Sequence, residues 1–547
     1  MKNLLDYVRA RTEPPQSLPI PGTTQVLNSA GGYAWAVDDW MRLDRFLILG
    51  AESGTYYVTE PKLTRENAEA VLRCIADDGT ATVARIVALS ESGRAPKNDP
   101  ALFALALCAT DGNEATKHAA FAALPRVCRT GTHLFHFTAF VDGMRGWGRG
   151  LRQAVAAWYA MPADKLAYQV VKYQQRDGWS HRDLLRLAHP KPADDQHAAI
   201  YYWLTKGWEG VGEAPHPDAA LRVLWAFERA KRATSAAEIV ALITDHRLPR
   251  EAIPTRWLND PAVWAALLPG MPLEALVRNL ATLTRLGLIA PLSDGTRHVV
   301  AQLGNVERIH AARLHPIKLL AALKTYAGGR GARGQHTWQP VVPVVDALDA
   351  AFYASFGTIT PTGRRWVLAL DVSGSMGGSM IAGVPGLDAR VGSAAMALVT
   401  AATEAQHTII AFSAGANGYG GQWSAGESGI TEVAISPRQR LDDVVRTTEA
   451  IPMGGTDCAL PMIWAVRHKV AADVFVIYTD SETWAGAVHP AQALRRYRQK
   501  MGIAAQLIVV GMTSTGFTIA DPDDAGMLDV VGFDTAAPQV MSNFVTG

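Results

Sequence analysis

The residues of this 547-residue chain that are best suited to chemistry stand in three short polar segments of its last third. The first segment holds Asp371, Ser373 and Ser375 in a DxSxS spacing, and the other two hold Thr456 and Asp480. Together they offer hydroxyl and carboxylate oxygens without sulfur or imidazole, which is the donor set that a hard cation prefers. We therefore predict a site for Mg²⁺ or another divalent cation.

A doubly wound α/β domain would bring these three segments together. From residue 365 onward, apolar runs such as RWVLALDVS, HTIIAFSA, DVFVIYTDSE and AAQLIVVGM alternate with helical runs. This alternation is typical of a parallel sheet with helices on both faces, whose ligands bind at the carboxyl ends of the strands. Asp371 and Asp480 each end a predicted strand, and Thr456 precedes an apolar helix, so we expect them to meet at that edge.

The DxSxS segment also fits two other interpretations. A DxSxS run can be a strand-to-helix turn in which the aspartate caps the helix. Asp371 could also be a phosphatase nucleophile, but that mechanism needs a second acidic residue at position 373, where this chain has a serine. The chain has no GxxxxGK[ST], HExxH or GxSxG motif, so we predict that it is not an enzyme.

The part of the chain before these motifs is predicted to be helical. Over residues 60–325, segments such as NAEAVLRCIA, LRQAVAAWYA and PLEALVRNLATLTRLGLI repeat apolar residues at a helical period, separated by short Gly, Pro or Asp breaks. Many short helices over this length favour stacked helix pairs with a degenerate repeat. We expect no β-hairpin in this stretch.

One helical segment, KYQQRDGWSHRDLLRLAH, carries a candidate phosphate-binding surface. Lys172 and Arg176 are four residues apart, so we expect them to share one helix face. Ser180 can cap the next helix together with Asp183, and His189 lies near that helix's C-terminal end. These basic residues would suit RNA phosphates, and an ordinary solvated face is the alternative interpretation.

A second basic strip precedes it in the chain. Arg129, Arg145, Trp147 and Arg149 interleave guanidinium groups with an aromatic ring, as proteins that bind single-stranded RNA do. We predict that these four residues contact RNA.

Charge and cysteine content bound the class of protein. Residues 361–547 hold 12 Lys and Arg against 17 Asp and Glu, which leaves 40 against 34 in residues 1–360. An acidic and a basic part suggest different ligands. Four cysteines without a CxxC pair favour a reducing compartment. The segment MKNLLDYVRARTEPP lacks the apolar core of a secretory signal, and we expect a cytoplasmic protein with no membrane partner.

Longer motifs carry a family resemblance. The segments KYQQRDGWSHRDLLRLAHPKP, DGMRGWGRG, LVRNLATLTRLG and DALDAAFY resemble the helical RNA-binding TROVE domain of the Ro autoantigen family. The segments PTGRRWVLALDVSGSM, MGGTDCALPMIWA and GMTSTGFTIADPDD are similar to that family's von Willebrand factor A domain. The five oxygen-donor residues match its metal-ion-dependent adhesion site. The chain is therefore identified as a bacterial member of this family.

The resemblance implies an architecture and a set of ligands. It implies a HEAT-like α-helical ring over residues 1–360, closed by a doubly wound A domain over residues 361–547. The positions of Lys172, Arg176 and His189 belong to an outer surface that binds a small noncoding Y RNA. The central hole takes the 3′ single-stranded end of a misfolded or structured RNA. In some members the Y RNA tethers the ring to the exoribonuclease polynucleotide phosphorylase.

The resemblance also implies roles in RNA quality control, maturation and decay and in the stress response. In the family's A domain, an open coordination position of the metal accepts an acidic side chain from a partner. The chain could therefore instead be a protein-interaction adaptor that works through its metal site without RNA. A ring closed by its own A domain predicts a monomer.

Overall fold

A computed structural model describes residues 13–208, 211–331, 336–356, 359–414, 429–436 and 439–547. Most of the N-terminal segment that bears on a secretory signal lies outside these residues. The described chain has a helical part, from Asp39 to Ala354, followed by an α/β part that begins at Arg365. Within the described ranges, no helix is both long and apolar enough to cross a membrane.

The helical part forms where the apolar periodicity predicts it. Most helices pack against neighbours one or two positions away in the chain, as in a helical repeat. The helices are α1 (Asp39–Leu49), α2 (Glu60–Ser92), α3 (Asp99–Asp111), α4 (Glu114–Val127), α5 (Gly131–Arg145), α6 (Arg149–Trp158), α7 (Ala163–Lys172), α8 (His181–Ala188), α9 (Asp195–Lys206), α10 (Arg222–Arg232), α11 (Ala236–His246), α12 (Pro261–Leu267), α13 (Leu273–Arg285), α14 (Asp294–Leu303), α15 (Val306–Ala311), α16 (Pro316–Ala327) and α17 (Val342–Ala354).

A small β-hairpin interrupts the helices between α7 and α8. It pairs β3 (Gln175–Arg176) with β4 (Trp179–Ser180) in antiparallel register. The two residues of its turn, Asp177 and Gly178, have φ angles of 52° and 79°, the left-handed region that a type I′ turn requires at both positions. The expectation of no hairpin in this stretch is therefore wrong, because Asp-Gly favours a type I′ turn more strongly than the flanking residues favour a continuous helix.

The α/β part is built on a six-stranded sheet. Its strands are β5 (Arg365–Asp371), β6 (Gln406–Phe412), β7 (Ile430–Glu432), β8 (Val474–Thr479), β9 (Gln506–Gly511) and β11 (Met527–Val531). The strand order is β11-β9-β8-β5-β6-β7, and all neighbouring strands are parallel except β7, which pairs antiparallel to β6 at one edge. The helices are α18 (Gly374–Gly378), α19 (Ala389–Thr403), α20 (Leu441–Glu449), α21 (Leu460–Arg467), α22 (Pro490–Met501) and α23 (Ala537–Thr546).

Helices cover both faces of this sheet. Leu368 of β5 belongs to a buried cluster that includes α19, whereas Val367 belongs to a second cluster with Met462 of α21 and Leu494 of α22. Successive side chains of a strand point to opposite faces, so the two clusters are the two sides of the sheet. The prediction of a doubly wound domain is confirmed.

The N-terminal segment before α1 packs on the α/β part. The strands β1 (Val26–Leu27) and β2 (Tyr33–Ala36) form a three-stranded sheet with β10 (Phe517–Thr518). Gln16 is fully buried, and its side chain donates to Asp457 Oδ1 at 2.8 Å. The division of the chain at residue 360 stays a prediction.

Both ends of the helical part contact the α/β part. Near the first end, the buried Arg45 of α1 donates to both carboxylate oxygens of Asp529 in β11 at 2.7 Å. Near the last end, Lys324 of α16 pairs with Glu449 of α20 at 2.6 Å. The two ends also meet directly, since His315 Nε2 donates to the backbone oxygen of Arg94 at 3.0 Å. These contacts close the helical part into a ring.

Candidate functional site

The three polar segments of the predicted metal site lie together at one edge of the sheet. Asp371 is the last residue of β5, and Asp480 directly follows β8, the parallel strand next to it. The loop that carries Thr456 joins them, because Ser373 forms a parallel bridge with Gly454. The expected meeting of these segments at the carboxyl ends of the strands is therefore what the fold produces.

Hydrogen bonds fix the carboxylate and hydroxyl groups of this edge. Asp371 Oδ1 accepts from the backbone N–H of Ser373 at 2.8 Å, and Oδ2 accepts from the hydroxyl of Thr479 at 2.6 Å. The hydroxyls of Ser373 and Ser375 are 3.1 Å apart. The five predicted ligands are between 0% and 2% exposed. The strand edge therefore presents a pre-formed, water-excluded set of oxygen donors.

The electrostatics of this edge are those of an anionic site. Burial and the charge of Asp480 raise the pKa of Asp371, and burial raises the pKa of Asp480. Asp480 Oδ2 is buried and has no hydrogen-bond partner within the described residues. A hard divalent cation would satisfy this oxygen and offset the repulsion, so the donor set fits Mg²⁺. The assignment of these five residues as metal ligands stays a prediction.

Sequence reasoning missed two neighbours of this edge. Glu482 is 1% exposed, and burial and the charge of Asp480 raise its pKa to about 8. Its position two residues after Asp480, in the run TDSE, was the available signal. Tyr57 comes from the helical part, and burial and the charges of Asp480, Glu482 and Asp371 raise its pKa to about 12. Nothing in the local sequence could have placed Tyr57 there.

The hairpin changes the predicted basic surface. Helix α7 ends at Lys172, and Arg176 lies in strand β3, so the prediction that they share one helix face is wrong. The physical reason is the hairpin: Arg176 pairs with Trp179 across the turn at Asp177, so the chain has to leave the helix before it reaches Arg176. Arg176 is exposed on the hairpin. Lys172 instead lines a cavity, with its Nζ 5.5 Å and 5.4 Å from the ring centres of Tyr168 and Tyr173.

The helix after the hairpin is capped as predicted. The Ser180 hydroxyl accepts from the backbone N–H of Asp183, and the Asp183 carboxylate accepts from the backbone N–H of Ser180. His189 is the C-cap residue of α8, is exposed, and has a φ of 47°. Its imidazole therefore lies at the negative end of the helix dipole, where a positive charge is favoured.

The second basic strip lies beside the hairpin. Trp147 stacks on Trp179 of β4 with ring centres 5.9 Å apart, which joins the two motifs that are distant in sequence. Arg145, the last residue of α5, and Arg149, the first residue of α6, are both exposed. Three of the predicted RNA-contact residues therefore cluster around this pair of tryptophans, and Trp147 itself is partly buried.

Arg129 lies in the wall of the same cavity as Lys172. The cavity has a volume of about 1020 Å³ and is lined by several segments of the helical part, from Ser90 to Trp338, and by Val384 of the α/β part. The Arg129 guanidinium donates to the hydroxyl of Ser90 at 2.8 Å. Burial and the positive charge of Arg313 lower the pKa of Arg129. The cavity wall therefore holds a half-buried cation that forms no ion pair with a carboxylate among the described residues.

The fold and the site define a two-part protein, with a helical ring joined to an α/β domain that carries a metal-type strand edge. Two family matches agree with this class. Residues 26–325 match the TROVE domain, and residues 365–545 match the Ro60 vWA domain.

Known proteins match the chain over nearly its full length. It is 42% identical to the RNA-binding protein RO60 of Deinococcus radiodurans, and the match covers 100% of both chains. It is 35% identical to the RNA-binding protein RO60 of Caenorhabditis elegans, over 96% of this chain and 90% of that relative. The crystal structure of the Deinococcus radiodurans RO (RSR) protein matches with a TM-score of 0.65 and 41% identity, over 93% of this chain and 100% of that one. The chain belongs to the Ro60 family.

Proposed function

We propose that this protein binds RNA, with a single-stranded segment in the ring cavity and a structured segment on the outer surface. The observation that carries the proposal is the set of cations in the cavity wall. Six Lys and Arg side chains line the cavity against three Asp and Glu. Two RNA-binding relatives of the same family, matched over most of their length, support it.

The cavity wall suits single-stranded RNA in charge and in surface. Arg129, Lys172 and Arg313 form no ion pair with a carboxylate in the described part of the chain, which leaves them available to phosphates. Tyr173 and Trp338 also line the cavity and offer ring faces for base stacking. Placement of Lys172 in this wall favours contact with the single strand, rather than with the outer RNA that the resemblance implies.

The outer surface suits a folded RNA such as a Y RNA. Arg176 and His189 flank α8, and Arg145 and Arg149 lie on the other side of the Trp147–Trp179 stack. All four basic residues are exposed, so phosphates of a rigid duplex can reach them. Recognition would then depend on shape and phosphate position more than on sequence.

The cellular role that we propose for this protein is the one that its family resemblance implies. The protein would act without catalysis in RNA quality control, maturation and decay in the cytoplasm, and a bound Y RNA would tether an exoribonuclease such as polynucleotide phosphorylase. The adaptor hypothesis has less support, because the predicted metal ligands are at most 2% exposed and offer a protein partner little surface.

Filter binding with two RNAs tests the proposal. One RNA is a hairpin with a 3′ single-stranded tail, and the other is the same hairpin with a blunt end. The wall variant joins Arg129→Gln to Lys172→Gln, the outer variant joins Arg149→Gln to Arg176→Gln, and Lys62→Gln is the control because Lys62 is exposed on α2. We expect the wall variant to lose tail-dependent affinity and the outer variant to lose hairpin affinity.

Salt titration supplies the second measurement. Removing two phosphate contacts to a single strand should flatten the slope of log affinity against log salt by about 1.4. Arg129→Lys keeps the charge and should preserve most of the slope, which separates lost charge from lost fold. Absence of binding by the wild type at low salt, or equal loss in both variants for both RNAs, would contradict the proposal.

A further inference from the structure

A second cleft opens in the helical part where α7, α8, α9 and α10 meet. It has a volume of about 360 Å³, and none of its lining residues lines the ring cavity. Ser180 of the hairpin strand β4 is part of its wall, so the cleft adjoins the hairpin that carries Arg176. Ligand pockets of about this size accept small molecules. The cleft is therefore a separate recess, large enough for a nucleotide, beside the outer basic surface.

The charge of the cleft wall favours an anion. Its cations are Arg182, Lys206 and Lys231, and its one carboxylate among the described residues is Glu228. Lys231 pairs with Glu228 at 2.7 Å. Arg182 and Lys206 are both exposed and form no ion pair in the described part of the chain. Two cations without a carboxylate partner are therefore available to a phosphate.

Glu228 is a fixed hydrogen-bond acceptor in the same wall. Its Oε1 accepts from the indole N–H of Trp203 at 3.1 Å and from Lys231 Nζ at 2.7 Å. Its Oε2 accepts no hydrogen bond within the described residues, and the side chain is 13% exposed. Lys231 is itself held in place, with Nζ 4.1 Å from the ring centre of Phe227. The wall therefore offers a positioned carboxylate oxygen that a ligand can use as an acceptor.

We propose that this cleft binds a single unpaired ribonucleotide of the RNA on the outer surface. Arg182 and Lys206 hold its phosphate, and Glu228 Oε2 accepts a hydrogen bond from its 2′-hydroxyl or from a base N–H. A nucleotide must leave the helical stack to enter a recess, so the cleft selects RNAs with a bulge or a loop over a continuous duplex. The proposal rests on the proposed RNA binding and adds a position to it outside the ring cavity.

Fluorescence anisotropy with the full-length chain tests the proposal. The reference RNA is a fully paired hairpin, and each test RNA carries one extra, unpaired nucleotide at a different position of the stem. The cleft variant joins Arg182→Gln to Lys206→Gln, and the acceptor variant is Glu228→Gln, which keeps the shape. The matched control joins Lys165→Gln to Arg232→Gln, because both side chains are exposed cations on α7 and α10 but lie outside the cleft.

In the wild type and the control, at least one position of the unpaired nucleotide should raise the affinity about tenfold over the paired hairpin. The cleft and acceptor variants should bind all of these hairpins alike. At the favoured position, loss of the gain in a 2′-deoxy nucleotide would assign the Glu228 bond to the hydroxyl, and loss only on exchange of the base would assign it to a base N–H.

Three results would overturn the proposal while RNA binding stands: a wild type that binds every hairpin equally, variants that keep the gain, and a gain that survives both nucleotide changes. A wild type that binds no RNA would overturn the proposed function as well, so the two failures are distinguishable.

Discussion

Arg45 provides the sharpest test of how the helical ring is held to the α/β domain. Its side chain is 1% exposed and makes four hydrogen bonds: two at 2.8 Å to the backbone oxygens of Thr515 and Phe517, and two at 2.7 Å to Asp529. Arg45→Met would leave the Asp529 carboxylate buried with only the hydroxyl of Thr518 as a donor. Breaking such a buried pair costs about 3 to 5 kcal/mol.

Hydrogen–deuterium exchange of the α1 amides measures this loss of stability in the helix that carries Arg45. A loss of about 3 kcal/mol in the local opening free energy should speed the exchange of α1 amides roughly a hundredfold. Arg73→Met is the matched control, because Arg73 also pairs with a carboxylate of α1, Asp39, but is 53% exposed. An exposed pair of this kind is worth less than about 1 kcal/mol.

The double variant Arg45→Met with Asp529→Leu separates the ion pair from the packing. It should recover much of the slow exchange, since no unpaired charge remains buried. If Arg45→Met changes the exchange of α1 no more than Arg73→Met does, the reasoning that this buried pair anchors the ring is refuted.

Three other predictions concern caps, pH and metal. Ser180→Ala removes the cap of α8 and should lower the local stability of that helix by about 1 kcal/mol, whereas Ser180→Asp should retain it; exchange of α8 amides measures both. Burial lowers the pKa of His315 to about 3, so the folded state keeps it neutral while the unfolded chain takes up a proton below pH 6.5. The unfolding free energy should therefore fall by about 2 to 3 kcal/mol between pH 6.5 and 4.5 at this site, and His315→Asn should show a smaller fall in urea titrations. A chelator should lower the melting temperature of the wild type, since a cation at a hundred times its Kd stabilises by about 2.7 kcal/mol. A similar loss in Asp371→Asn would contradict the metal site.

The four central strands of the α/β domain could be predicted, whereas the edge strands β7 and β11 could not. Each of the four central strands contains a continuous apolar run, and β5 and β8 end at or directly before an aspartate, Asp371 and Asp480. Parallel strands must present their carboxyl ends at one edge, so spacing alone brought these carboxylates together. The cap of α8 could also be predicted from the sequence, because Ser180 and Asp183 interact within one helical turn.

The basic surface could be predicted only in part. Residue types predict a surface of cations and aromatic rings, and Arg145, Arg149, Arg176 and His189 are all exposed. Helical periodicity failed at Lys172, because the Asp-Gly turn ends the helix and sends the next residues into a hairpin. Which side of a closed ring a side chain faces depends on the curvature of the whole array, and no local spacing encodes it.

The two-part architecture, the clustering of the strand-edge oxygens and the helix cap follow from the amino-acid sequence, because each depends on contacts within one element or between adjacent parallel strands. The surroundings of these features depend on how distant parts of the chain pack. Packing of the segments before α1 and between α1 and α2 brought Ala30 and Tyr57 to the metal-type edge. Closure of the ring put Lys172 and Arg129 into one cavity wall. These contacts join residues tens to hundreds of positions apart, so only the folded chain brings them together.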